Sequence, residues 1–71
     1  MTLDKILKNI RKELNLTQEQ LARNLNVSFS TLNRWENRHA IPSRLARMRL
    51  LDYCVKNSVS DEIIFELERT K

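Results

Sequence analysis

No glycine occurs anywhere in the 71 residues. Glycine is the residue that takes positive φ freely or lets a backbone approach a ligand closely. Phosphate-cradling loops, tight hairpin turns and dinucleotide fingerprints therefore have no usual form here. Alternating apolar segments are missing too, which sets aside an all-β fold. One cysteine allows no intramolecular disulfide, and no cluster of Cys and His is spaced to hold a metal. With 41% apolar residues the chain is ordinary globular material. What remains is one small all-α domain over residues 1–71, stabilised by helix packing and, in so short a chain, by a partner subunit.

The charge is unevenly placed. Residues 1–56 carry 11 Lys and Arg against 5 Asp and Glu, whereas residues 57–71 carry 2 against 4. A basic body with an acidic C-terminal end fits a polyanion at the body and not at the end, although a solvated basic surface gives the same count. The N-terminal residues are polar and no long apolar run follows. Neither a secretory signal nor a membrane span is expected, and the chain reads as cytoplasmic.

Leu3, Ile6, Leu7, Ile10 and Leu14 recur at helical spacing with polar residues between them, and Asn15 is a natural stop. Thr17 with Gln20 makes a capping box, and Leu16 with Leu21 a hydrophobic staple, so a second helix runs to Leu25 and ends at Asn26. Ser28 caps a third helix at once, leaving only Asn26 and Val27 as the link. On that helix Leu32 and Trp35 share an inner face, while Ser30, Asn33, Arg34 and Asn37 form an uncluttered polar one. Pro42-Ser43 opens a fourth helix that is apolar on most sides through Val55. Ser60 caps a fifth, with Asp61 and Glu62 in its first turn. The expected division is a core over 1–57 and a C-terminal helix over 58–71.

The string Leu16-Thr17-Gln18-Glu19-Gln20-Leu21-Ala22, then Leu25-Asn26-Val27-Ser28, Thr31-Leu32 and Trp35-Glu36-Asn37, resembles the lambda-repressor/Cro-like helix-turn-helix family over roughly residues 3–57. The resemblance implies a compact five-helix bundle whose second and third helices form a DNA-binding helix-turn-helix. Small Ala22 suits a close approach of those helices at the turn, and a protruding third helix fits a major groove about 12 Å wide. Two positions depart from the family, which usually has glycine where Asn26 stands and often where Arg38 stands. Asn tolerates positive φ; Arg38 is less comfortable there, so the loop from Arg38 to Ile41 is expected to differ from the family.

Carried over by position, the resemblance implies base contacts from Phe29, Ser30, Asn33 and Arg34. Arg34 matches guanine O6 and N7, and Asn33 can pair with adenine. Phe29 has two open readings: an apolar contact with a thymine methyl, or a core residue folded inward. Phosphate contacts are implied for Gln18 at the start of helix two, and for Thr17, Ser28, Asn37, Arg38 and Arg11. Arg11 and Glu36 occupy positions that often form an ion pair in the family. Trp35 reads as core, His39 as a loop residue facing solvent or phosphate, and Cys54 as an inert buried thiol.

No nucleophile, base or paired-carboxylate arrangement points to an enzyme, and no cofactor, metal or small-molecule ligand is implied. The expected function is a sequence-specific regulator of transcription, a repressor, bound to double-stranded DNA as a homodimer through Ile63, Ile64, Phe65 and Leu67. The competing reading is an antitoxin or adaptor that uses the same fold to hold a protein, with DNA binding secondary.

Overall fold

A computed structural model describes residues 1–70. Each helix begins just after a Ser or Thr: α1 (Leu3–Leu14), α2 (Gln18–Asn24), α3 (Phe29–Glu36), α4 (Arg44–Lys56) and α5 (Asp61–Arg69) follow Thr2, Thr17, Ser28, Ser43 and Ser60. No strand is present among the described residues. Three of these caps accept a hydrogen bond from the helix they open: Thr17 from the Gln20 N–H, Ser28 from Thr31 and Ser43 from Ala46. Gln20 returns the bond by accepting from the Thr17 N–H at 2.9 Å, which completes the capping box. Ser60 occupies its cap position but does not cap. Its hydroxyl donates to Glu13 on α1 at 3.1 Å, tying α5 to α1 instead.

The helices stop as uniformly as they start. Asn15, Asn26, Arg38 and Ser58 have φ of 56°, 60°, 63° and 56°, the left-handed region. The following N–H reaches back five residues in each case: Leu16 to the Arg11 carbonyl, Val27 to Ala22, His39 to Arg34 and Val59 to Cys54, at 2.8–3.0 Å. This is the Schellman closure, which satisfies carbonyls that a helix end leaves open. Four such closures without one glycine turn the chain sharply enough to fold helices onto each other.

The helices close around α1, whose Ile6, Leu7 and Ile10 are fully buried. It packs against α3 and α5, while α2 packs on α3 and α4 on α5. Val59, Ile63 and Leu67 complete the same core as Leu21, Leu32 and Leu50. The boundary expected at residue 57 is therefore not a structural one, because α5 is an integral wall of the bundle. Cys54 is buried in that core, and burial, with a smaller effect from the Glu13 charge, pushes its thiol up to about 11. Only Leu50 and Cys54 of α4 are buried outright, and the rest of its apolar content divides between two faces.

The left-handed residues generate a stability test. A side chain other than Gly or Asn costs about 1–2 kcal/mol in this conformation. Replacing Arg38 or Ser58 by Gly is expected to raise unfolding stability by about 1 kcal/mol in urea denaturation, after the entropic cost of Gly itself. The same change at Asn15 should gain less. Gly variants at 38 and 58 no more stable than the parent would contradict the strain.

Candidate nucleic-acid interface

The α2–α3 corner is built from small and apolar residues at fixed places. Ala22 is 2% exposed, and its carbonyl accepts the Val27 N–H at 3.0 Å that closes the turn. A larger residue at 22 would hold α3 off α2. Leu21, Leu25 and Leu32 are buried beneath the corner, with Val27 packed half-buried over them. Asn24 at the end of α2 donates to the Tyr53 hydroxyl of α4 at 3.0 Å, a clasp that no sequence pattern announces.

Trp35 and Leu32 face inward, which leaves a continuous outer arc on α3. Phe29, Asn33 and Asn37 follow one another at i, i+4 along one row; Ser30 and Arg34 form the next. Phe29 is 51% exposed, so the inward reading of this residue does not hold. Ser30, Arg34 and Asn37 are exposed and Asn33 is half-buried. Asn37 donates from its side-chain nitrogen to the Asn33 carbonyl at 2.8 Å and to Asn33 Oδ1 at 3.1 Å. Its amide protons are thereby engaged in closing α3, while the side-chain nitrogen of Asn33 keeps its protons for an outside acceptor.

Around the arc, Gln18 is half-buried at the first position of α2, and Thr17 and Ser28 are exposed caps. Ser28 Oγ also lies 2.8 Å from Thr31 Oγ1. Arg38 and His39 are exposed on the loop after α3. Arg38 lines a cleft with Asp4 and Trp35. The Asp4 carboxyl is held below its ordinary range, first by the Thr2 hydroxyl and in smaller measure by the Arg38 and Lys8 charges.

Arg11 anchors this helix from behind. Its Nε donates to Glu36 Oε2 at 2.9 Å and its Nη2 to Oε1 at 2.8 Å, a two-bond fork from α1 to the last residue of α3. Glu36 is 2% exposed, whereas Arg11 keeps a quarter of its side chain in solvent. No group of His, Cys, Asp and Glu among the described residues could hold a metal, and none of their helices is long and apolar enough to cross a membrane.

The residues assigned to a subunit interface separate into two kinds. Ile63 and Leu67 are buried in the protomer's own core, so they offer no free surface. Ile64 is half-buried and Phe65 is 57% exposed, with the Arg69 guanidinium 5.6 Å from its ring centre.

The sequence profile of a family described as helix-turn-helix matches residues 7–46, more than half of the chain, and this span includes α2, the turn and α3. No curated protein and no solved structure matches.

The buried carboxylate sets the test here. Arg11→Ala leaves Glu36 charged and unpaired, and is expected to lower stability by about 3 kcal/mol, the low end for breaking a buried pair because Arg11 is partly solvated. Adding Glu36→Gln to that variant should recover part of the loss in thermal or urea unfolding. Additive losses from the two changes would contradict a direct pairing.

Proposed function

The chain belongs to the lambda-repressor/Cro-like helix-turn-helix family of DNA-binding regulators, and from that premise we propose that it is a cytoplasmic repressor reading the major groove of double-stranded DNA with α3. The observation that carries this reading is the outer arc of α3: Phe29, Ser30, Asn33 and Arg34 side by side, with none of the four in the core. An arc of this chemistry supplies what base edges ask for: a planar Arg fork, an Asn amide, a small hydroxyl and one apolar side chain.

Arg34 supplies a planar fork for a guanine, and Asn33 an amide for an adenine. Ser30 is compatible with any base. Phe29 places apolar surface where a thymine C5-methyl lies in the groove. Gln18, Thr17 and Ser28 bracket the arc and contact phosphates, with Arg38 on the far side; these fix register and carry no sequence information. Thr17 keeps a hydroxyl proton to donate even while accepting its cap bond, and Ser28 does so when Thr31 is the donor in the bond between their hydroxyls. Asn37 contributes chiefly by closing the helix, and Arg11 holds α3 while its solvated edge faces the backbone. The Arg38 side chain explains why a strained left-handed residue stands where glycine would be easier: the charge is worth its backbone cost. A pair of such domains reads two half-sites about 34 Å apart, which gives a longer address than one short helix can.

Selection of binding sites from random duplexes, followed by titration of variants, tests the assignment. Arg34→Ala should weaken binding to the selected site by about 1–3 kcal/mol and relax preference at one base pair. Gln18→Ala should weaken binding about equally on all sequences. An Arg34→Ala protein with unchanged affinity and unchanged selected sequence would remove α3 as the reading element.

Phe29 has its own test. Replacing thymine by uracil at each position of the selected site deletes only a methyl group, and one position should weaken binding several-fold with the parent protein. Phe29→Ala should erase that difference. Equal binding of every uracil duplex would show that Phe29 reads no methyl.

A further inference from the structure

Two helices close with the same asparagine device. Asn37 after α3 and Asn57 after α4 each donate twice to the carbonyl four residues back, that of Asn33 and of Tyr53. The backbone N–H does so at 3.0 Å and the side-chain Nδ2 at 2.8 Å in both cases. Only at α3 does a further bond follow: Asn37 Nδ2 also donates to Asn33 Oδ1 at 3.1 Å.

This short chain of bonds can run in one sense only. A backbone carbonyl accepts and never donates, so the Asn37 amide must turn its nitrogen to it. Asn33 must then turn its oxygen to Asn37, because the reverse would set one NH₂ group against another. The side-chain nitrogen of Asn33 is left on the far side of its amide, away from Asn37. No other hydrogen bond among the described residues engages it.

We propose that Asn37 is a positioning residue for sequence recognition: it holds the Asn33 amide nitrogen-outward, so that α3 asks for a hydrogen-bond acceptor on the base facing Asn33 and rejects cytosine there. The inference rests on the reading of α3 as the recognition helix and narrows what that helix selects. Purine N7, guanine O6 and thymine O4 can each accept from Nδ2. Adenine keeps both of its bonds, since Oδ1 retains a second lone pair for N6–H. Cytosine presents only N4–H₂, a donor facing a donor. An unrestrained asparagine has no such preference, because its amide turns over at little cost and can meet either kind of edge. Asn37 removes that choice before DNA arrives.

The base pair facing Asn33 is the one whose preference Asn33→Ala relaxes in site selection. Titration of duplexes carrying each of the four bases at that position decides the matter. The parent should bind cytosine there about tenfold more weakly than the selected base. Asn37→Ala should shrink that gap to within about twofold, the weight of choosing one of two amide orientations. Asn37→Asp has the same shape but cannot donate, and should lose the preference too. Asn57→Ala removes the equivalent closure from α4, where Tyr53 offers no amide to orient; it should leave the preference at its parental value. Circular dichroism should show folded protein for each variant. A cytosine penalty that survives both changes at Asn37, or an equal loss on all four duplexes, would reduce Asn37 to a helix closure or a phosphate contact and overturn the proposal. So would a parent in which Asn33→Ala relaxes no position, although recognition through Arg34 would then still stand. If Arg34→Ala is also without effect, the reading of α3 itself fails.

Discussion

A carboxylate with 2% exposure at the end of α3 is the costliest group in the core, and the orientation of α3 depends on how it is met. Glu36 sits at a helix C-terminus, where the backbone dipole disfavours negative charge. Burial disfavours it again. Arg11 offsets both by forking onto the two oxygens from the last turn of α1. A hydrophobic pair of the same volume could stabilise as well or better, since buried ion pairs seldom exceed their desolvation cost by much. What the fork adds is geometry: two directional bonds fix the rotation of α3 about its axis, and with it which residues face outward. Phe29, Ser30, Asn33 and Arg34 are presented because Glu36 is held.

The second constraint is backbone closure without glycine. Four helices end in the same left-handed turn, and the residue after each turn sends its N–H back to the helix. At α2–α3 this closure makes the corner in two residues and sets the crossing of the two helices. Arg38 and Ser58 pay for it in conformational strain, since neither has the local polar adaptation that makes Asn tolerable there. The strain is a property of helix ends, and it is small enough for packing of α1, α3 and α5 to carry.

Much of this was legible in the sequence because the signals are local. Thr17 with Gln20, Ser28 alone and the spacing of Leu3, Ile6, Leu7 and Ile10 each specify an element within a few residues. Asn15 and Asn26 mark turns for the same reason. Ser58 left no mark, because serine is common in loops of every conformation and its left-handed state follows from what α4 and α5 require. Ser60 reads as a cap, yet its hydroxyl goes to Glu13, 47 residues distant in sequence. The two faces of α4 were visible only as general apolarity. A helix apolar on most sides has more surface than one neighbour can cover, but its composition does not say which part is left over: α4 buries Leu50 and Cys54 and leaves Leu45, Met48 and Val55 outside. The same blindness put Ile63 and Leu67 in an interface: periodicity shows that a stripe is apolar, not which neighbour covers it. On the outer arc of α3, the outward position of Phe29 could not be separated from an inward one until Trp35 and Leu32 had filled the space beneath.

In the proposed complex α3 meets DNA across its outer arc while α5 stays clear of it. Amide chemical-shift mapping during titration with a duplex chosen by site selection tests this most directly. The largest changes should fall on Phe29 to Asn37 and around Thr17 and Gln18, and they should fade as salt is raised, because phosphate contacts release counterions. Changes concentrated on α4 and α5 with α3 undisturbed, or no response to any duplex at low salt, would contradict it.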